Sequence, residues 1–160
     1  MSDHQVPLVV DVDGALVRGD LLWEGLVRLV VTRPHRIAGA ARSLLRGRAA
    51  LKALVAEVAG LDIRSVPLEP AVIQLIEEAR RERRPVVLAS VAHESHVAAL
   101  AERVRADDAY GSDGRVNLKG AAKLKAIRAR FPVFDYVGNR SADRVLWIEA
   151  RKAYAVNVSR

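Results

Sequence analysis

Apolar residues along the chain fall into two rhythms. Short unbroken runs at Val6–Val12, Pro85–Ser90, Phe134–Gly138 and Tyr154–Val158 are rich in β-branched residues and predict buried strands. Between them the apolar positions step at helical spacing. Val72, Leu75, Ile76 and Ala79 repeat at i, i+3, i+4 and i+7, behind a proline at position 70 where a helix start tolerates one. Val97, Leu100, Ala101 and Val104 repeat the pattern after the second strand. Leu124, Ile127 and Phe131 mark a third helix, and Ser141 is placed to cap a fourth through "SADRVLWIEA". Strands alternating with helices predict an α/β fold, a Rossmann-like parallel sheet sandwiched by helices.

One interval breaks the alternation. Roughly seventy residues separate the first two strands, where an ordinary crossover helix needs only a dozen or two. The interval reads as helices over Leu21–Thr32, around His35–Arg46, around Ala49–Leu61 and over Pro70–Arg83, broken at Pro34, near Gly47 and by "LDIRSVPLEP". The expected organisation is a core of residues 1–18 and 85–160, with residues 19–84 inserted as a helical cap over the carboxyl ends of the strands. Trp23 and Leu26 are expected in the core of that cap, and Trp147 in the core of the sheet.

Composition narrows the classes. The chain has 160 residues, about half of them apolar, and no cysteine, which excludes a disulfide framework and a thiolate nucleophile or metal site. The start "MSDHQVP" lacks the basic-then-apolar plan of a secretory signal, and no apolar run approaches a membrane span, so the expected setting is cytoplasmic. The net charge of +7 is uneven: from Glu24 to Glu57 there is no acid, while Arg28, Arg33, Arg36, Arg42, Arg46, Arg48 and Lys52 all fall there. Such a patch is either a solvated helical face or a site for an anion, whether phosphorylated substrate, membrane surface or nucleic acid. No aromatics interleave the arginines, which counts against single-stranded nucleic acid.

Candidate chemistry collects at the strand ends, where open α/β sheets bind ligands. The first strand ends in Asp11 and Asp13, followed by Gly14 in a turn; the second ends in Ser90; "YVGNRSAD" supplies Asn139 and Asp143; "NLKGAAK" supplies Lys119 and Lys123. This set suits phosphoryl transfer. One carboxylate attacks phosphorus, a second two residues on protonates the leaving oxygen, and lysine with Mg²⁺ offsets the phosphoryl charge. Mg²⁺ suits Asp11, the Asp13 carbonyl and the Asn139/Asp143 loop. "HESH" places His93 and His96 at i, i+3, and with no third ligand in step they read as a polar helix start rather than a metal pair.

"VVDVDGALV", "VVLAS", "NLKGAAK" and "YVGNRSAD" resemble, in order, the four motifs of the haloacid dehalogenase superfamily, and the insert resembles its C1 helical cap. Within that superfamily, "LLRGRAALK", "SDGRVNLKG" and the closing "AVN" are similar to a hydrolase-like domain fused to bacterial UbiA-type membrane prenyltransferases. The resemblance implies a Mg²⁺-dependent phosphohydrolase with Asp11 as nucleophile and Asp13 as general acid/base. It implies that Ser90, Gly14 and Lys119 bind the phosphoryl group, with Lys119 preferred to Lys123 for its Lys-Gly pair. Asp11, Asp13, Asn139 and Asp143 would hold the metal. The implied substrate is a phosphorylated small molecule or a lipid-linked phosphate, and the implied partner is a membrane prenyltransferase or fused domain at the inner membrane surface. Two positions depart from the pattern. Ala15 stands for the usual threonine, and Asn139 for an acid, which removes one negative charge from the metal set. The alternative expectation is an accessory domain that positions a membrane enzyme without catalysing.

Overall fold

The chain is described from a computed structural model covering residues 6–60, 62–113, 115–139 and 144–157. Among these residues, five strands form one all-parallel sheet: β1 (Leu8–Val10), β2 (Val86–His93), β3 (Asp108–Ser112), β4 (Asp135–Gly138) and β5 (Ala153–Ala155), in the spatial order β3-β2-β1-β4-β5. β1 is central, pairing Val9 with Val87 on one side and with Tyr136 on the other. After β3 the chain crosses back over β1 to lay down β4, so the strand order reverses at β1/β4. A crevice opens there at the carboxyl ends.

Period-two alternation sends the strand residues to two separate cores. Leu8 and Val10 pack with Leu88 and Val137 on one face, under α4 (Pro70–Arg81) and α5 (Glu94–Val104). Val9, Val87, Ala89 and Tyr136 face the other side, where α6 (Ala121–Arg130) contributes Ile127 and α7 (Arg144–Glu149) contributes Leu146. Both faces of the sheet are therefore covered, as the nearly continuous apolar strands require. Trp147 is only partly buried against the second core.

The insert is a helical unit with its own small core. α1 (Leu21–Thr32), a 3-10 turn at Pro34–Arg36, α2 (Ile37–Leu45) and α3 (Arg48–Val58) pack Leu29, Ala40, Leu51 and Val55 together, with Leu26 partly buried beside them. Its two connections to the core lie side by side: Val17 bridges Leu68, and the Glu69 amide donates to the Leu16 carbonyl at 2.8 Å. The sequence grouped the helix expected over Pro70–Arg83 with the insert of residues 19–84; Val72, Ile76 and Ala79 of α4 pack onto the sheet beside Leu8 and Leu88. The expectation that Trp23 belongs to the cap core is corrected: it is exposed, on the side of α1 opposite the buried Leu21, Gly25 and Leu29. β3 was not anticipated. Its sequence, Asp-Ala-Tyr-Gly-Ser, carries no apolar run, because an edge strand is only half buried.

At the opposite, amino-terminal edge of the sheet, Asp135 is fully buried and takes two hydrogen bonds of 2.9 Å from the Arg151 guanidinium and one from Arg84. Burial alone would raise the Asp135 pKa, but the Arg151 hydrogen bonds and the charges of Arg84 and Arg151 outweigh it and hold the carboxyl below the usual range. A depressed folded-state pKa stabilises the fold above the ordinary carboxylate range and loses that contribution as pH falls through the folded value. Asp135→Asn is expected to cost on the order of 3 kcal/mol at neutral pH in denaturant unfolding. The same variant should show a flatter loss of stability below about pH 4 than the parent chain.

Candidate active site

The central strand delivers both carboxylates to the crevice. Asp11 follows β1 in the register that points Val9 toward α6, and its Oδ1 meets Lys123 Nζ at 2.9 Å, with both side chains almost fully buried. Lys123 shares the inward face of α6 with Ile127, one turn on, and its Nζ also lies 3.2 Å from the Tyr136 hydroxyl of β4. Asp13 is held by two donors. The Leu21 amide reaches Oδ1 at 3.0 Å and the Ser90 hydroxyl reaches Oδ2 at 3.1 Å. Ser90 in turn accepts from the Ala92 amide at 3.0 Å and is fully buried.

Gly14 occupies the turn between the strand and the cap with φ +76°, a conformation that favours glycine. A Cβ there would fall 2.2 Å from the Asn139 amide nitrogen, so the absence of a side chain is what lets the two loops close together. Asn139 Oδ1 is buried and has no hydrogen-bond partner among the described residues. A buried amide oxygen left unpaired costs free energy, and a hard cation would satisfy it. The candidate donors are all oxygens, the Asp11 and Asp13 carboxylates and the Asn139 amide beside Gly14, a set whose chemistry fits Mg²⁺ rather than a softer metal. Asp143 lies outside the described residues, and among those described no group of three His, Cys, Asp or Glu side chains has a metal-binding arrangement. The fit therefore depends on the Asn139 amide.

The cap closes over these groups to leave a cleft of about 180 Å³, into which Asp11, Asp13 and Lys123 face from the core and Asp20, Arg48 and Lys52 from the cap. Lys119 stands exposed at its rim, next to Gly120, which caps α6. A larger concavity of about 470 Å³ lies at the amino-terminal edge beside Leu8, Arg84 and Arg151, but it contains none of the strand-end groups and opens beside the structural Asp135 cluster.

Lys52 escaped the sequence reading. It was counted with the basic run, yet its side chain is buried, donating to the Val91 carbonyl at the end of β2 and to Asn117 Oδ1 at 2.7 Å. Burial lowers its pKa, partly countered by the nearby Asp13 and Asp20 charges and reinforced by Arg48 and Lys119. The available signal was its spacing: Lys52 lies three and seven residues before Val55 and Ala59 on the inward face of α3. Lys123 carried the same kind of signal, four residues before Ile127.

His93 begins α5 as its cap, with Nδ1 accepting from the Ser95 amide at 3.3 Å. His96 is buried at the seam between cap and core, near Leu21, Lys52 and Val55.

No protein-family model matches the chain. The fold is that of haloacid dehalogenase-type hydrolases, of the phosphoserine phosphatase kind. A phospho-aspartyl intermediate analogue of phosphoserine phosphatase superposes with a TM-score of 0.67 at 19% identity, over 97% of this chain and 88% of that one. A HAD family hydrolase from Salmonella enterica serovar Typhi superposes with a TM-score of 0.63 at 14% identity, covering 90% and 60%. In sequence, the uncharacterized protein y4nM of Sinorhizobium fredii is 31% identical over 156 residues, 96% of this chain. The chain spans about 30% of that relative's length.

Burial first, and the charge of His93 second, push the His96 pKa down to about 4. With a folded value below the unfolded one of about 6.5, the unfolded chain takes the proton first, so stability falls as pH drops from about 6.5 to about 4. His96→Gln should flatten the melting temperature over that window, read as thermal unfolding against pH.

Proposed function

We propose that the chain is a Mg²⁺-dependent phosphomonoester hydrolase working through an aspartyl-phosphate on Asp11. The observation that carries the reading is the buried pair of carboxylates at the strand-order reversal, one bonded to Lys123 and the other to Ser90, beneath a cationic cap. An Asp11 oxygen attacks phosphorus, the bond to the leaving oxygen breaks, and Asp13 gives that oxygen a proton. Water then attacks the phosphorus of the acyl phosphate, the bond to Asp11 breaks, and Asp13 takes the water's proton. Lys123 offsets charge at Asp11 and at the phosphoryl oxygens, the part that the sequence resemblance assigned to Lys119. The Ser90 hydroxyl and the Leu21 amide aim the Asp13 carboxyl. When bound, Mg²⁺ would supply Lewis-acid charge to the phosphoryl oxygens, held by Asp11, Asp13 and Asn139.

A cleft of about 180 Å³ lies below the usual ligand-pocket range of about 300–1,000 Å³, so it suits the phosphoryl end of a substrate whose remainder leaves past Arg48 and Lys119. The cations at that mouth favour a substrate with further negative charge. A non-catalytic accessory role is favoured by a different observation, the amide at position 139 where an acid would bind Mg²⁺ more strongly.

Mg²⁺-dependent phosphate release from p-nitrophenyl phosphate separates the two readings. The parent chain should turn over and lose activity on chelation, and Asp11→Asn should reduce the rate to background with an unchanged circular dichroism spectrum. Asp13→Asn is expected to lose about 10²–10⁴-fold. Asn139→Asp should lower the Mg²⁺ concentration for half-maximal rate. Wild-type activity in Asp11→Asn would refute the mechanism, and no turnover with no Mg²⁺ binding by calorimetry would favour the accessory role.

A further inference from the structure

Helix α1 is apolar on two opposite sides. Leu21, Gly25 and Leu29 form the side buried against the cap. At 100° per residue, Trp23, Val27, Val30 and Val31 cluster about half a turn away, and all four are exposed, Trp23 at 67% and Val31 at 75%. A helix that is apolar all round is ordinarily covered all round. The exposed stripe continues onto α2: Trp23 and Leu26 share a shallow groove with Leu44, and Leu45 beyond it is 89% exposed. Arg28 and Arg42 on the same two helices and Arg46 just after α2 are exposed, and no acid occurs between Glu24 and Glu57.

We infer that this face of the cap docks on an anionic lipid bilayer. Three observations select that occupant. Its charge is opposite to that of the surface, where Arg28, Arg42, Arg46 and Arg48 outnumber the two acids at its border, Asp20 and Glu24, whereas a second copy would set like charges against each other. Tryptophan beside aliphatic residues, rimmed by arginine, is the composition of helices that lie in the headgroup region. α1 has 12 residues and no helix in the described residues is long and apolar enough to cross a membrane, so the helix lies on the surface rather than through it. The groove and the catalytic cleft share Asp20, Leu22 and Arg48, so docking holds the mouth of the cleft beside the headgroups. The docking itself does not depend on the proposed hydrolysis.

Vesicle binding tests the inference without an activity readout. The chain is mixed with phosphatidylglycerol-containing or pure phosphatidylcholine vesicles and followed by co-sedimentation. In parallel, tryptophan emission is recorded in a Trp147→Phe variant, where Trp23 is the sole reporter. Binding to the anionic vesicles only is expected, weakening with salt, with a blue shift of Trp23 emission and protection from acrylamide. Val27→Gln with Val31→Gln, exposed positions where glutamine keeps the helix, should abolish the blue shift. Arg28→Gln with Arg42→Gln and Arg46→Gln should weaken binding roughly a hundredfold. The inference is overturned by equal binding to neutral vesicles, by no binding to anionic ones at low salt, or by a Trp23 spectrum that vesicles leave unchanged. It is equally overturned if sedimentation velocity shows that the Val27/Val31 face instead pairs two copies of the chain.

Discussion

Asp11 and Lys123 meet at 2.9 Å with almost no solvent contact, and burying two such ions costs several kcal/mol each in lost hydration. The cost is tolerable only where geometry is fixed and the remaining lone pairs and protons find partners. The sheet provides the first condition: β1 is central, hydrogen-bonded on both sides, and unable to shift register without moving every apolar side chain to the wrong core. α6 provides the second, carrying Lys123 into the second core alongside Ile127, where the Tyr136 hydroxyl is within reach. The fold around this pair is what holds a carboxylate oriented at the end of a dry strand.

Much of this arrangement is legible in the sequence because apolar periodicity is a direct record of burial. Leu8 to Val10, Val86 to Ala89 and Tyr136 to Val137 alternate between two cores and could be read as a doubly covered sheet. The strand-end carboxylates could be found because polar groups that stop an apolar run stand where its backbone leaves the sheet. What the sequence concealed follows from the same physics. β3 is an edge strand and carries too little apolar pattern to announce itself. Lys52 and Lys123 look like members of charged helical faces, and only their step relative to Val55 and Ile127 reveals that they point inward. The exposure of Trp23 was hidden because an apolar residue on a helix with two apolar sides does not say which side is covered.

The cap is more than a roof, because its first helix is bonded to Asp13, a carboxylate it covers. The first turn of α1 has free amides. Those of Leu22 and Trp23 are taken by the Asp20 side chain at 3.0 and 3.3 Å, while that of Leu21 is given to Asp13 Oδ1. The amino end of α1 therefore points at Asp13, and the Leu21 amide fixes one of its carboxyl oxygens. α3 makes the complementary tie from the other side, through Lys52 to the Val91 carbonyl and Asn117.

These two ties reach one cleft, which both Asp13 and Lys52 line. Leu21 and Ser90 together fix both oxygens of Asp13, one from the cap and one from the core, so the carboxyl is aimed only while cap and core are in register. Lys52 bonds the Val91 carbonyl and Asn117 of the core, so α3 ties the cap to the core as the Leu21 amide of α1 does.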